Sequence, residues 1–265
     1  MFVRNFWIFC LSCFCSFQLN AKILEMNHMH SLTNYIQEGD LIIFDIDNTI
    51  MEPTQELGSD QWFRHRISFH VRKGKDASDA LEKALAEWEA VQNITDVKLV
   101  EDSIATFIQD LQKQNHLVMG LTTRGISLAT RTFYQLQSLN VDLEKTCFTQ
   151  QEIPFLNEHT VLLRKGVLFT SGTHKGKALF KLLDLADCHP KRIIFINDKA
   201  THLQQVEETA KLRKTPFIGL RYGYLDSKVK NFRADLADLQ FKDFSYILSD
   251  TEAQKRLKRE GLSIN

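Results

Sequence analysis

The segment Asp45-Ile46-Asp47-Asn48-Thr49 carries two carboxylates at a spacing of two, which puts both on the same side of an extended chain. It closes an apolar run, Leu41–Ile46, that follows Gly39-Asp40 and reads as a buried strand. Three other polar clusters stand in comparable places. Thr122-Thr123-Arg124 follows the run His116–Leu121, Asn197-Asp198-Lys199 follows Arg192–Ile196, and Gly172-Thr173-His174-Lys175-Gly176 precedes a helical pattern. Brought to one point, Asp45, Asp47 and Asp198 repel one another strongly. A divalent cation resolves that repulsion, and hard oxygen donors of this type suit Mg²⁺. Each residue also has a plainer reading. Asp45 and Asp47 are good turn formers and Asp198 a good helix cap. Thr123 competes with Thr122, Lys177 competes with Lys175, and Arg124 either meets a ligand or pairs with an acid.

The elements that must position these groups are short apolar runs alternating with helical patterns. Leu41–Ile46, His116–Leu121, Lys145–Phe148 (a weaker third), Arg192–Ile196 and Pro216–Leu220 read as strands. Continuous apolar runs are what a parallel sheet covered on both faces requires. Val97–Asn115, Ser127–Ser138, Lys177–Ala186 and Thr201–Lys211 read as helices between them. The pattern predicts a doubly wound, Rossmann-like α/β sheet, in which ligands bind beyond the carboxyl ends of the strands. Two interruptions stand out. The first two strands are too far apart for one crossover. Residues 52–96, with the helical stretch Asp76–Gln92, therefore read as a small helical cap inserted in the sheet domain of residues 22–265. Val161–Thr170, two apolar runs around Arg164-Lys165-Gly166, reads as a β-hairpin.

Composition narrows the classes. Of 265 residues, 33 are Lys or Arg and 33 are Asp or Glu, so the formal net charge is zero, which argues against nucleic acid as a general partner. Residues 1–17 hold five of the 19 Phe and three of the five Cys, with Arg4 the only charge before Lys22. The apolar stretch Phe6–Phe17 is shorter than the roughly 20 residues a membrane span needs. A basic start, an apolar stretch and a small residue at Ala21 read as a signal peptide over residues 1–21, directing the chain to a periplasmic or secreted location. The mature chain then has no stable membrane span. Cys147 and Cys188 read either as a pair for an oxidising compartment or as two small buried hydrophobes, with the unpaired reading favoured. His65 and His70 are five apart, which spoils an i,i+4 ligand pair. The basic and aromatic stretch around them roofs the site or is an ordinary solvated face. His174 and His202 are candidates to line the pocket. No glycine-rich dinucleotide or P-loop motif is present, so nucleotide cofactors are not expected.

Taken together, the clusters resemble the four motifs of the haloacid dehalogenase-like (HAD) superfamily of aspartate-nucleophile phosphohydrolases. Asp45-x-Asp47-x-Thr49 stands for the first, Thr122 for the second, Lys175 for the third and Asn197-Asp198 for the fourth, over roughly residues 38–225. Leu57–Trp62, and Gly166–Thr170 ahead of Lys175-Gly176, are similar to a secreted HAD-like group of the domain-of-unknown-function type. More distantly, the export pattern and Phe44-Asp-Ile-Asp47 are similar to secreted acid phosphatases.

The resemblance implies a Mg²⁺-dependent phosphomonoester hydrolase acting on a small phosphorylated substrate. Asp45 is then the nucleophile and Asp47 the general acid and base. Thr122 binds a phosphoryl oxygen, and Lys175 neutralises charge on the phosphoryl group and on Asp45. Asp198 ligates Mg²⁺ together with the Asp45 carboxylate and the Asp47 backbone carbonyl. The fourth motif often holds two acids. Asn197 in place of the first removes one charge and keeps a non-catalytic exported binding protein as the alternative.

Overall fold

The computed structural model describes residues 22–242 and 247–261. The expected signal segment, residues 1–21, lies outside the described residues. The centre is an eight-stranded, mainly parallel sheet flanked by helices, a Rossmann-like α/β arrangement. Strands β1 (Lys22–Met26), β2 (Asp40–Phe44), β3 (Met51–Pro53), β4 (Val97–Leu99), β5 (Leu117–Thr122), β6 (Ile153–Leu156), β7 (Thr160–Arg164), β8 (Val167–Phe169), β9 (Arg192–Asn197) and β10 (Phe217–Tyr222) supply both sheets. The large one runs β1-β10-β9-β2-β5-β8-β7-β6, and β3 pairs with β4 in a separate two-stranded ribbon. The six strands from β1 to β8 in that order are parallel neighbours; β7 and β6 continue the sheet antiparallel.

The apolar runs are buried on both faces. Ile42 and Phe44 of β2, with Ile194 and Ile196 of β9, join one core layer. Leu41 and Ile43, with Ile193 and Phe195, join the other. The first layer is covered by α3 (Ile104–Lys113) and α4 (Ala129–Ser138) through Ile104, Ile108, Leu111 and Leu136. The second is covered by α5 (Lys175–Leu185) and α6 (Ala200–Leu212) through Leu179, Leu182, Leu203 and Val206. These two helices cross closely at Gly176, where a Cβ would stand 2.1 Å from the Gln205 carbonyl oxygen.

Two expected elements are corrected. Lys145–Phe148 forms no strand. The place beside β5 is taken by β8, in register Gly120↔Val167 to Thr122↔Phe169, so the hairpin is a continuation of the main sheet. Its fully buried Val167–Phe169 suits that position better than a run opened by Lys145 and Thr146. Lys165 and Gly166, both at positive φ, make its turn. The helix expected over Val97–Asn115 begins only at Ile104; its first residues form β4, paired with β3. Strand β1 adds an edge that the apolar pattern did not mark. Between β3 and β4 lie α1 (Asp60–Arg72) and α2 (Ala77–Gln92), each opened by a side-chain cap, Ser59 on the Trp62 N–H and Asp76 on the Asp79 N–H. Helices α7 (Asp226–Lys230), α8 (Ala234–Phe241) and α9 (Asp250–Arg259) close the described chain. Phe241 packs on Trp62 of α1 at a ring separation of 5.0 Å. Among the described residues, no helix is long and apolar enough to cross a membrane.

Candidate active site

Strand β2 stops at Phe44, and the next residue, Asp45, is held to the sheet by its N–H, which donates to the Ile196 carbonyl of β9 at 2.9 Å. Its side chain turns into a buried pocket at the carboxyl end of the sheet. Lys175, the first residue of α5 and fully buried, donates from Nζ to Asp45 Oδ1 at 2.7 Å and to the Leu121 carbonyl at 3.0 Å. One ammonium therefore ties together the ends of β2 and β5 and the start of α5. Burial pushes the Asp45 carboxyl above its ordinary range, with Lys175 pulling against it. The same burial pushes Lys175 down, with Asp45 pulling against it. His174 ahead of it caps α5, its Nδ1 accepting from the Lys177 N–H.

Asp47 takes a different partner. Arg124, just beyond β5, grips it with two hydrogen bonds, Nε to Oδ2 at 2.9 Å and Nη2 to Oδ1 at 2.7 Å. Burial opposes charge on Asp47, but the guanidinium outweighs it and holds the carboxyl below its usual range. Arg124 is itself fixed by Thr132 and Gln135 of α4 and by Gln92 at the end of α2. Pairing with an acid is thus the observed role of Arg124. Thr122 is buried, its hydroxyl accepting from the Arg124 N–H at 3.1 Å, whereas Thr123 faces the cavity.

Asn48 stands at φ 58, a left-handed conformation that Asn tolerates. The turn lets Asn48 Nδ2 donate to Asp198 Oδ2 at 3.3 Å. The other Asp198 oxygen, Oδ1, is buried without a hydrogen-bond partner, as is Thr49 Oγ1. Burial and then the charge of Asp45 push the Asp198 carboxyl up to about 7. A buried carboxylate oxygen without a donor is where a cation fits. Among the described residues no group of three or more His, Cys, Asp or Glu side chains is arranged to hold a metal. A divalent cation at this point would have Asp45 and Asp198 as its side-chain donors and would draw the rest from backbone oxygen and water, the kind of donor Mg²⁺ takes. Asn197 is not placed to help: its Oδ1 accepts from the Lys199 N–H at 2.8 Å and its Nδ2 faces His202 Nδ1.

Asp45, Asp47 and Arg124 open into a cavity of about 640 Å³ between the sheet and the inserted helices, and Asn48 and Asp198 line a smaller one of about 170 Å³ that shares Asp60 and Lys199 with it. The lining of the larger cavity includes Asp45, Asp47, Thr123, Arg124, Lys199 and His202 on the sheet side and Phe63, Leu81, Leu85 and Trp88 on α1 and α2. Lys199 reaches across to the insertion, donating to Asp60 Oδ1 at 2.7 Å. Of the basic and aromatic stretch around His65, only Phe63 faces the cavity. His65 pairs with Asp238 of α8, tying the insertion to the C-terminal helices, and Arg66 and His70 share Glu87 of α2, so these groups brace the insertion instead of roofing the site. Cys147 and Cys188 are both free. The Arg124–Asp47 and Lys199–Asp60 contacts are the site features that sequence spacing does not mark. Their partners lie 77 and 139 positions apart.

A family model described as "Protein of unknown function (DUF2608)" matches residues 25–254. A Chlamydia trachomatis serovar D protein named "Putative outer membrane protein" is 25% identical over 248 residues, covering 92% of this chain and 93% of its own. A similarly named Chlamydia pneumoniae protein is 24% identical over 258 residues, covering 96% and 97%. A Rickettsia prowazekii protein, named only as uncharacterized, is 23% identical over 248 residues, covering 87% and 88%.

Proposed function

The chain belongs to the DUF2608 family, and within it we propose a HAD-like, Mg²⁺-dependent phosphomonoester hydrolase that is exported and works through an aspartyl-phosphate on Asp45. The observation that carries this reading is the buried Asp45–Lys175 pair at the end of the central strand, with the unpartnered Asp198 oxygen beside it. Phosphoryl transfer asks chiefly for positioning and for neutralisation of charge on the transferring group. Export is supported by the residue pattern of positions 1–21 and by the names of the chlamydial relatives.

Asp45 attacks phosphorus in line, the bond from phosphorus to the ester oxygen breaks, and Asp47 gives that oxygen a proton. Water then attacks the phosphorus of the aspartyl-phosphate, Asp47 takes its proton, and phosphate leaves with Asp45 restored. Lys175 lies against the nucleophile and offsets the charge that grows there. When bound, Mg²⁺ supplies charge neutralisation for the phosphoryl oxygens, held by Asp45, Asp198 and the Asp47 carbonyl. The Arg124 grip suits Asp47 as a base in the second half and opposes it as an acid in the first. Protonation of the leaving oxygen therefore requires that grip to loosen.

The test is hydrolysis of an aryl phosphate with Mg²⁺ by the wild-type protein and by Asp45→Asn. Turnover by the wild type alone is expected; equal turnover by both removes Asp45 from the nucleophile's role. The Arg124–Asp47 contact favours one second reading, an exported binding protein in which Asp47 is permanently occupied. Mg²⁺-dependent capture of beryllofluoride, which mimics an aspartyl-phosphate, counts against that reading.

A further inference from the structure

Beyond its charged floor, the cavity is walled by apolar side chains. Leu81, Leu85 and Trp88 fall on one face of α2, and Phe63 of α1 packs against Trp88 at a ring separation of 5.9 Å. Ile126, after β5, joins them from the opposite side. Leu81, Leu85 and Ile126 are 47%, 41% and 43% exposed, so they meet the space of the cavity instead of the core. About 640 Å³ is the volume of a drug-sized ligand and far exceeds a phosphate group.

The charges point the same way. The Lys and Arg side chains among the described lining residues, Lys199 and Arg124, are both already paired, with Asp60 and Asp47. The mouth adds Glu89 and Glu158. Glu89 accepts from the neutral Ser127 hydroxyl, and Glu158 lies 4.0 Å from Lys177, well exposed to water. A second anionic group on a ligand meets carboxylates there and no unengaged cation among these residues.

We infer that the site takes a phosphomonoester whose alcohol carries a neutral apolar group, alkyl or aryl, laid along the Leu81–Leu85–Trp88 face of α2, and that it rejects alcohols bearing a second anion. This rests on the phosphoryl site proposed above and names its substrate class.

The experiment is calorimetric binding of non-hydrolysable alkylphosphonates to the wild-type protein with Mg²⁺, in the series methyl, butyl and hexyl, with a hexyl chain ending in a carboxylate as comparator. Affinity is expected to rise about threefold to fourfold per added methylene. The carboxylated chain is expected to bind at least tenfold more weakly than hexyl, and Leu85→Asn to flatten the chain-length series. Affinity independent of chain length, tighter binding of the carboxylated probe, or no binding of any phosphonate overturns the inference. Chain-length-dependent binding without turnover of hexyl phosphate upholds this inference and removes the hydrolase reading. Turnover of methyl and hexyl phosphate with equal kcat/KM upholds the hydrolase and overturns this inference.

Discussion

At the scale of single residues, the site is a set of buried charges that each need a partner. Arg124 satisfies one carboxylate and three polar side chains while only 2% of its own side chain is exposed. Arg124→Ala takes from the partly buried Asp47 its two-point partner and leaves it only the weaker influence of Lys199 and Lys175, and a loss of about 1–3 kcal/mol of stability is expected in urea unfolding. Adding Asp47→Ala should recover part of that loss, which a purely steric role for Arg124 would not show. His202 gives a pH prediction. Burial, then Lys175 and Lys199, push its imidazole down to about 2, so the folded protein keeps it neutral where the unfolded chain protonates it. Between about 6.5 and 2 the unfolded state binds the extra proton, so this residue lowers stability as pH falls through that window. A His202→Asn protein should show a shallower drop in Tm between pH 6.5 and 4. Asp45, Lys175 and Asp198 were readable as candidates because each stands at the end of a strand or the start of a helix, where topology alone brings side chains together. The Arg124–Asp47 grip was not, because choosing between an acid and a ligand for a guanidinium requires knowing what folds over it. Gln92 and Gln135, on two different helices, decide it.

At the scale of elements, the helices and central strands follow their apolar periodicity closely. The failures share a cause: short segments whose fate is set by a neighbour. Val97–Leu99 has residues that suit a helix, yet β3 offers it a ladder. Lys145–Phe148 has strand-like residues, yet β8 fills the gap beside β5 with three fully buried side chains. Close approach is equally local. Gly176→Ala forces α5 away from α6, since backbone cannot yield as a flexible side chain would. An expected cost of about 1–3 kcal/mol is measurable in denaturant. Because α5 begins with Lys175, activity should fall together with stability. Gly74→Ala, in open space at φ 87 and away from the cavity, serves as a control that strains only its own backbone.

At the scale of the whole molecule, the sheet places its charged end under the inserted helices, and the cation proposed there would link stability to function. Mg²⁺ binding only to the folded state should raise Tm with concentration, by several degrees once the ion exceeds its Kd a hundredfold. Asp198→Asn should abolish that dependence, and a chelator should remove both the shift and the turnover of an aryl phosphate. A Tm indifferent to Mg²⁺ in the wild type would be at odds with the unpartnered Asp198 oxygen being a cation donor.

The outer edge strand β1 sets when the sheet can close. Lys22–Met26 can find its seat only on β10, in register Lys22↔Ile218 to Met26↔Tyr222. A ribosome must therefore release about 200 further residues before that ladder can zip, and long-range parallel pairing is intrinsically slow. The stretch directly following the expected leader thus stays unlatched through most of synthesis, the condition a polypeptide would need for the export proposed above, in which it would pass a translocation pore before locking shut.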